Sequence, residues 1–197
     1  MHAEAQTDNA AWVDINLPQP AQFVADYVRD VERLLRLNPH LEIRRLTAIP
    51  GGFALEAMNE MNGLAVSRRL TFRAEGPWRY VLGYDSGLKL ATEVEVMPQV
   101  AGARLRIRET YREPTDDAEL AEVDRSLTPW GQAIRRHFLG LARWGRLPPY
   151  RWWRERLWLS LRPRERRILS LFVWITALEF AFFLLVLAVY LAESARA

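Results

Sequence analysis

The chain has 197 residues, half of them hydrophobic, which suits one ordinary domain with a real core and an added segment. Its net charge of +3 is uneven: residues 1–128 carry 15 basic and 20 acidic side chains, whereas residues 129–197 carry 12 Arg and four Glu. This local basic excess argues against a nucleic-acid-binding domain, and the absence of Cys excludes disulfides and thiolate metal sites.

A strand and a helix are the first predicted elements. Residues 1–10 have neither the basic start nor the apolar run of a signal peptide, and we expect them to be flexible. Apolar and polar residues alternate in residues 12–18, which predicts a half-buried strand. An apolar stripe at helical spacing then predicts one continuous helix from Pro20 to a stop at Asn38-Pro39.

Six further strands are predicted, followed by a second helix. Asn62-Gly63 predicts a two-residue hairpin between the second and third of them. After an acidic linker (residues 113–126), another apolar stripe predicts a long amphipathic helix that ends at Gly145. The prediction is an α+β domain over residues 11–145, whose six strands after the first helix are 41–49, 53–61, 64–75, 79–84, 88–97 and 103–112.

This order of elements, together with the stretch VERLLRLNPHLEI (residues 31–43), resembles the helix-grip fold of the START-like superfamily, also called SRPBCC or the polyketide cyclase and lipid transport group. The resemblance covers residues 10–145. It implies a curved antiparallel sheet of about seven strands that grips the C-terminal helix around an apolar cavity. Its members bind lipids, sterols, quinones or polyketides. The single continuous first helix departs from relatives with two short helices and implies a reshaped cavity mouth.

Several polar side chains fall on strand faces that should point inward. Arg68 and Glu109 each belong to an apolar face, and a buried charge is unfavourable by several kcal/mol unless it is paired. We therefore expect Arg68 and Glu109 to meet in the cavity and orient the polar head of a ligand. The alternatives are a purely structural ion pair, or a bulge that returns Arg68 to solvent. The candidate cavity residues are Arg68, Glu109, Asn59, Thr92, Leu70, Phe72, Ile107 and Tyr111.

Residues that would carry catalysis are not grouped in the sequence. His2, His40 and His137 are scattered, so no metal-ligand spacing exists, and His137 is interpreted as a packed core residue of the second helix. There is no Gly-rich phosphate loop or nucleophile elbow. The sequence therefore predicts no cofactor and no metal, and it favours a protein that is not an enzyme.

Residues 168–191 contain a single charge, Glu179, and as a helix would reach about 36 Å, enough to cross a hydrocarbon core of about 30 Å. Nine Arg occur between residues 143 and 167, which places residues 1–167 in the cytoplasm and the tail, 192–197, outside. The sequence thus predicts a tail-anchored protein, with a bacterial inner membrane as the expected location. Glu179 should either stay protonated in lipid or, with Thr176, contact a helix of another membrane protein.

A basic, Trp-rich segment, residues 146–167, connects the predicted domain to the predicted span. Trp favours the headgroup level and Arg favours anionic lipid, so this segment is expected to lie at the membrane interface rather than in solution. The residues expected there are Trp152, Trp153, Trp158, Arg162, Arg164, Arg166 and Arg167.

Three functions are consistent with the sequence. The first is a membrane-anchored module that binds a lipid, a quinone or a similar apolar ligand. The second is an accessory subunit of a larger membrane protein complex, held through the span. The third, a cyclase-like enzyme, is allowed by the resemblance but supported by no constellation of residues.

Overall fold

The structure, a computed structural model, describes residues 9–114 and 126–194. The chain forms two compact units, residues 1–160 and residues 161–197. The first unit contains a seven-stranded antiparallel sheet in the order β1-β7-β6-β5-β4-β3-β2. Its strands are β1 (Asn9–Leu17), β2 (Leu41–Ile49), β3 (Gly52–Asn59), β4 (Leu64–Ala74), β5 (Arg79–Tyr84), β6 (Lys89–Gln99) and β7 (Gly102–Tyr111).

Two short helices connect β1 and β2, so the prediction of one continuous helix is wrong. Helix α1 spans Ala21–Val28 and helix α2 spans Val31–Arg36. The break lies at Asp30, whose extended backbone ends one helix while its carboxylate accepts a hydrogen bond from the backbone N–H of Arg33 at 3.0 Å. An Asp in this position caps the start of a new helix, and the apolar stripe alone does not reveal the interruption.

The connection between β3 and β4 also differs from the prediction. Asn59 pairs with Leu64, so the connection is a four-residue loop, residues 60–63, and not a two-residue hairpin. The side chain of Asn59 accepts from the backbone N–H of Met61 at 2.9 Å, and that of Asn62 accepts from Leu64 at 3.2 Å. These side-chain bonds stabilise the longer loop, and Gly63 supplies its positive φ of 72°.

Helix α3 (Leu127–Trp144) packs against β1 and against the core between the sheet and the other helices. The core is built by the inward faces of the strands and by one face of each helix. Phe138, Ile134, Leu34, Leu82 and Leu105 are all fully buried. The predicted α+β architecture, a curved antiparallel sheet around a long helix, is confirmed.

The first compact unit continues beyond residue 145, the predicted end of the domain. Helix α4 (Pro148–Trp152) and a π-helical turn (Trp153–Trp158) follow α3, and Leu159 is 4% exposed within the core. Tyr150 packs over Gly140 of α3, where an added Cβ would lie only 2.4 Å from the Tyr150 hydroxyl. The segment 148–159 is therefore part of the folded domain.

The second unit is dominated by one helix, α5 (Pro163–Ser194), of 32 residues. Its stretch Pro163–Leu191 contains an 18-residue window with a mean hydropathy of 2.4 and is long and apolar enough to cross a membrane. Its large apolar side chains are exposed, for example Trp174 at 76% and Leu178 at 72%. The helix contains the predicted span, residues 168–191.

Candidate ligand-binding cavity

A cavity of about 170 Å³ lies at one end of the sheet, bordered by strands β2–β7, the end of α2 and the start of α3. Part of its wall is apolar and part is polar. The apolar part includes Leu35, Leu41, Leu55, Leu64, Val66 and Trp130, and the polar part includes Asn38, Asn59, Arg68, Tyr84, Lys89, Glu109 and Tyr111. Such a mixture of apolar wall and a few polar groups is typical of small-molecule sites.

A buried carboxylate lies in the cavity wall. Glu109 is 1% exposed, and its Oε1 atom lies 2.6 Å from Nζ of Lys89, whose side chain is 18% exposed. The Tyr111 hydroxyl donates to the other oxygen at 2.5 Å. The Lys89 ammonium also lies 5.9 Å from the ring centre of Tyr84 and 5.8 Å from that of Tyr111. The charge of Glu109 is thus balanced within the cavity wall.

The partner of Glu109 is therefore Lys89 and not Arg68, which corrects the predicted ion pair. A β-bulge between Lys89 and Ala91 is the cause, because Lys89 pairs with Tyr111 while Ala91 pairs with Thr110. The extra residue reverses the alternation of side chains at the start of β6. Lys89 consequently points inward, whereas Leu90, which strict alternation from Thr92 would place on the inward face, is 44% exposed.

Arg68 lines the same cavity, half-buried on β4. Its Nη1 atom donates to the backbone carbonyl of Ser67 at 3.0 Å. Within the described residues its guanidinium forms no ion pair with a carboxylate. Gly87 lies beside it with φ of 86°, and an added Cβ there would lie 2.8 Å from Nη2 and 3.0 Å from Nε of Arg68.

The remaining predicted cavity residues divide into two groups. Asn59 and Tyr111 line the cavity together with Arg68 and Glu109. Thr92 is fully buried behind the wall, where its hydroxyl lies 3.1 Å from the hydroxyl of the lining residue Tyr84. The structure places the other three, Leu70, Phe72 and Ile107, in or against the hydrophobic core and not along the cavity.

Sequence reasoning also missed part of the polar wall. Asn38, which we assigned only to the end of a helix, is 4% exposed and donates to the Ser126 hydroxyl at 2.8 Å. Its side-chain oxygen accepts from the backbone N–H of His40 at 2.9 Å. Lys89 could have been suspected as the only Lys in a chain with 26 Arg, but alternation placed it on the outer face.

His137 is packed in the core, as predicted, and joins α1 to the segment after α3. It is fully buried, and its Nε2 atom lies 2.6 Å from the hydroxyl of Tyr27. Nε of Arg154 donates to Nδ1 of His137 at 3.2 Å. Burial raises the pKa of Tyr27 and lowers the pKa of Arg154. This cluster lies outside the cavity and fixes the π-helical turn to the domain.

The Trp residues of the basic segment have different environments. Trp152 is 57% exposed, whereas Trp153 and Trp158 are half-buried with ring centres 5.3 Å apart, and Arg154 lies 5.2 Å from the ring centre of Trp158. Further exposed apolar side chains in this region are Trp144, Leu147 and Leu157. The four predicted interfacial arginines, Arg162, Arg164, Arg166 and Arg167, belong to the second unit.

Glu179 lies near the middle of the apolar stretch of α5, and Thr176 lies three residues before it. Residues three apart share a face of a helix.

No metal site is found in the described residues, because no group of three His, Asp or Glu side chains is arranged to hold an ion.

Comparison with known proteins gives a structural match but no sequence match. No protein-family model matches the chain. No curated protein matches it either.

Similar solved structures include the XoxI protein from Bacillus cereus, with a TM-score of 0.53 and 13% identity over 68% of this chain and 97% of the other. A protein from Deinococcus radiodurans has a TM-score of 0.50 and 22% identity, covering 68% of this chain and all of the other. A START superfamily protein from Mycobacterium smegmatis has a TM-score of 0.48 and 13% identity, covering 68% and 98%.

These matches span nearly the whole of the other proteins, so about a third of this chain has no counterpart in them. The folded unit has a seven-stranded antiparallel sheet, two short helices after β1 and a long helix after β7. The first unit therefore has the predicted helix-grip fold.

Proposed function

We propose that this protein is a membrane-anchored binding module, whose cavity takes up the polar head of a lipid, a quinone or a similar apolar molecule at the cytoplasmic face of the membrane. The observation that carries the proposal is the cavity between α2, α3 and strands β2–β7, with its apolar wall and its group of charged side chains. No reaction is proposed, because no metal site is found among the described residues, and the hydroxyl–imidazole pair of Tyr27 and His137 is buried away from this cavity.

The size of the cavity restricts what it can hold. A dry cavity of about 150 Å³ accepts one benzene molecule, and this one measures about 170 Å³. It therefore has room for one ring or one head group, and not for a whole acyl or isoprenoid chain. An apolar tail would have to remain outside, in contact with the membrane or with the domain surface.

The amphipathic end of the domain supports its placement at a membrane. Trp144, Leu147, Trp152 and Leu157 expose apolar surface within a stretch rich in arginine. Trp and Arg in such a mixture favour the interface of a bilayer with anionic lipids. The apolar helix α5 follows directly in the chain.

Binding can be tested with the full-length protein in lipid nanodiscs and a fluorescent quinone analogue. Val66 lines the cavity, so Val66→Trp is expected to fill it and to weaken binding at least tenfold. Ser67→Trp is the matched control, because Ser67 is exposed on the next position of β4 and does not line the cavity. Equal binding by the wild type and by Val66→Trp, with both proteins folded, would contradict the proposed cavity.

A second candidate function, an accessory subunit of a membrane complex, is favoured by Glu179. A bare carboxylate at the centre of a bilayer is unfavourable by a few kcal/mol on insertion scales. A polar or basic group on a partner helix would remove much of this penalty. In this case the domain and its ligand would serve a larger assembly, so the two functions are compatible.

Co-purification distinguishes an anchor from a partner contact. We expect Glu179→Leu to preserve insertion but to lose an associated membrane protein, and Glu179→Gln to retain much of the association because it keeps hydrogen bonding. Native mass spectrometry after mild extraction would report the associated subunits. Unchanged association in Glu179→Leu would leave the helix as an anchor only.

A further inference from the structure

We infer that the cavity selects a ligand whose head is a carboxylate, and that Arg68 is the residue that binds it. The inference rests on the proposed binding function and names the chemical class of the ligand. Its basis is the difference between the two cations in the cavity wall: Lys89 is paired with a carboxylate, and Arg68 is not paired with one among the described residues.

The charge of Lys89 is balanced by the charge of Glu109. Its ammonium lies 2.6 Å from the buried carboxylate of Glu109, and Tyr111 donates to the same carboxylate. The other described lining residues except Arg68 are neutral. The charges of the described lining residues therefore sum to +1, and this surplus lies on Arg68.

The guanidinium of Arg68 has donors that the protein does not use. Its Nη1 atom donates to the Ser67 carbonyl. Its Nε and Nη2 atoms donate to no acceptor among residues 9–114 and 126–194. Nearby Asp85 accepts a hydrogen bond from the Ser86 hydroxyl at 2.9 Å. Among the described residues its carboxylate forms no ion pair with Arg68, although the charge of Arg68 contributes to lowering the pKa of Asp85.

The backbone of Gly87 lies against the Nε–Nη2 edge of Arg68. An added Cβ there would approach Nη2 to 2.8 Å and Nε to 3.0 Å, and φ of 86° also favours glycine at this position. A carboxylate would therefore approach Arg68 from the other side, where Nη2 and the second N–H of Nη1 can donate. Paired donors of this kind match the two oxygens of a carboxylate, a geometry that lysine cannot provide.

The apolar wall and the volume define the rest of the ligand. Leu55, Leu64 and Val66 line the cavity with Arg68, so a flat or short apolar group joined to the carboxylate would fill it. Two sources offer this chemistry: a small soluble aromatic acid, and the head of a fatty acid whose chain stays in the membrane.

The test uses the full-length protein in phosphatidylcholine nanodiscs, which supply no net lipid charge. Binding of 4-fluorobenzoate and of the neutral 4-fluorobenzamide is measured by fluorine NMR. The acid is expected to bind about 10–100-fold more tightly than the amide, the range for a hydrogen bond to a charged group. Arg68→Gln should remove this preference, and Arg68→Lys should restore only part of it. Arg69→Gln, on the exposed face of β4, should retain it.

Equal affinity for acid and amide in the wild type, or an unchanged preference in folded Arg68→Gln, would overturn the inference but leave the binding function standing. Failure of both probes to bind would also overturn the inference, whereas the binding function is decided separately by the quinone analogue and Val66→Trp. Displacement of bound 4-fluorobenzoate by tetradecanoate added to the nanodiscs would assign the site to a membrane acid. Lack of displacement would assign it to a soluble acid.

Discussion

Replacing Lys89 by methionine tests whether the cavity wall contains a true buried ion pair. The change removes the ammonium that lies 2.6 Å from Glu109 Oε1 and keeps a flexible side chain of similar length. Glu109 is 1% exposed, so its carboxylate cannot turn to water without a rearrangement of β7.

The expected loss is large for a single substitution. Removing one partner of a buried ion pair lowers the free energy of unfolding by about 3–5 kcal/mol, because the other charge is left uncompensated. Lys89 retains 18% exposure and Tyr111 still donates to Glu109, so we expect the lower end of that range. For a domain of this size each kcal/mol shifts the melting temperature by about 2–4 °C.

The assay is thermal unfolding of the full-length protein, followed by tryptophan fluorescence. We expect Lys89→Met to melt about 6–12 °C below the wild type. The double variant Lys89→Met, Glu109→Leu should recover most of this difference, because an apolar pair of similar volume replaces both charges. A melting temperature of Lys89→Met within 2 °C of the wild type, or no recovery in the double variant, would refute this reasoning.

Two other predictions concern the limits and the surface of the domain. A chain ending at Ser160 should be a folded, soluble domain. A chain ending at Gly145 should be less stable, because it lacks the buried Leu159. The full chain should stay in membranes after an alkaline wash, and its release would count against the anchor. Arg106 donates to Asp14 at 2.7 and 2.9 Å and lowers the pKa of this carboxyl. Asp14→Asn should therefore reduce the free energy of unfolding by less than about 1 kcal/mol at pH 7. Urea titrations should find that this difference from the wild type is lost as the pH falls below about 4, where Asp14 becomes protonated. A difference that persisted in acid would exclude the charge as its cause.

The fold was predictable because its signals are periodic. Alternation along the strands and the apolar stripe on helix α3 follow from burial of one face, and each pattern extends over several residues. The break between α1 and α2 was not predictable from this period, because the apolar stripe continues through it. Its cause is a single cap at Asp30.

The cavity was only partly predictable for a similar reason. Arg68 and Glu109 could be recognised as inward charges because they interrupt apolar faces. The partner of Glu109 could not, since one extra residue in β6 reverses the direction of Lys89. Leu70 and Ile107 share the inward faces, but only packing determines that they fill the core instead of the cavity.

The most direct measurement of the central claim is photo-crosslinking in native membranes with a lipid or quinone analogue that carries a diazirine near its head group. The account predicts adducts on cavity residues such as Leu64 and Trp130, and their loss in Val66→Trp but not in Ser67→Trp. Adducts confined to residues 168–191, with none in the cavity, would contradict it.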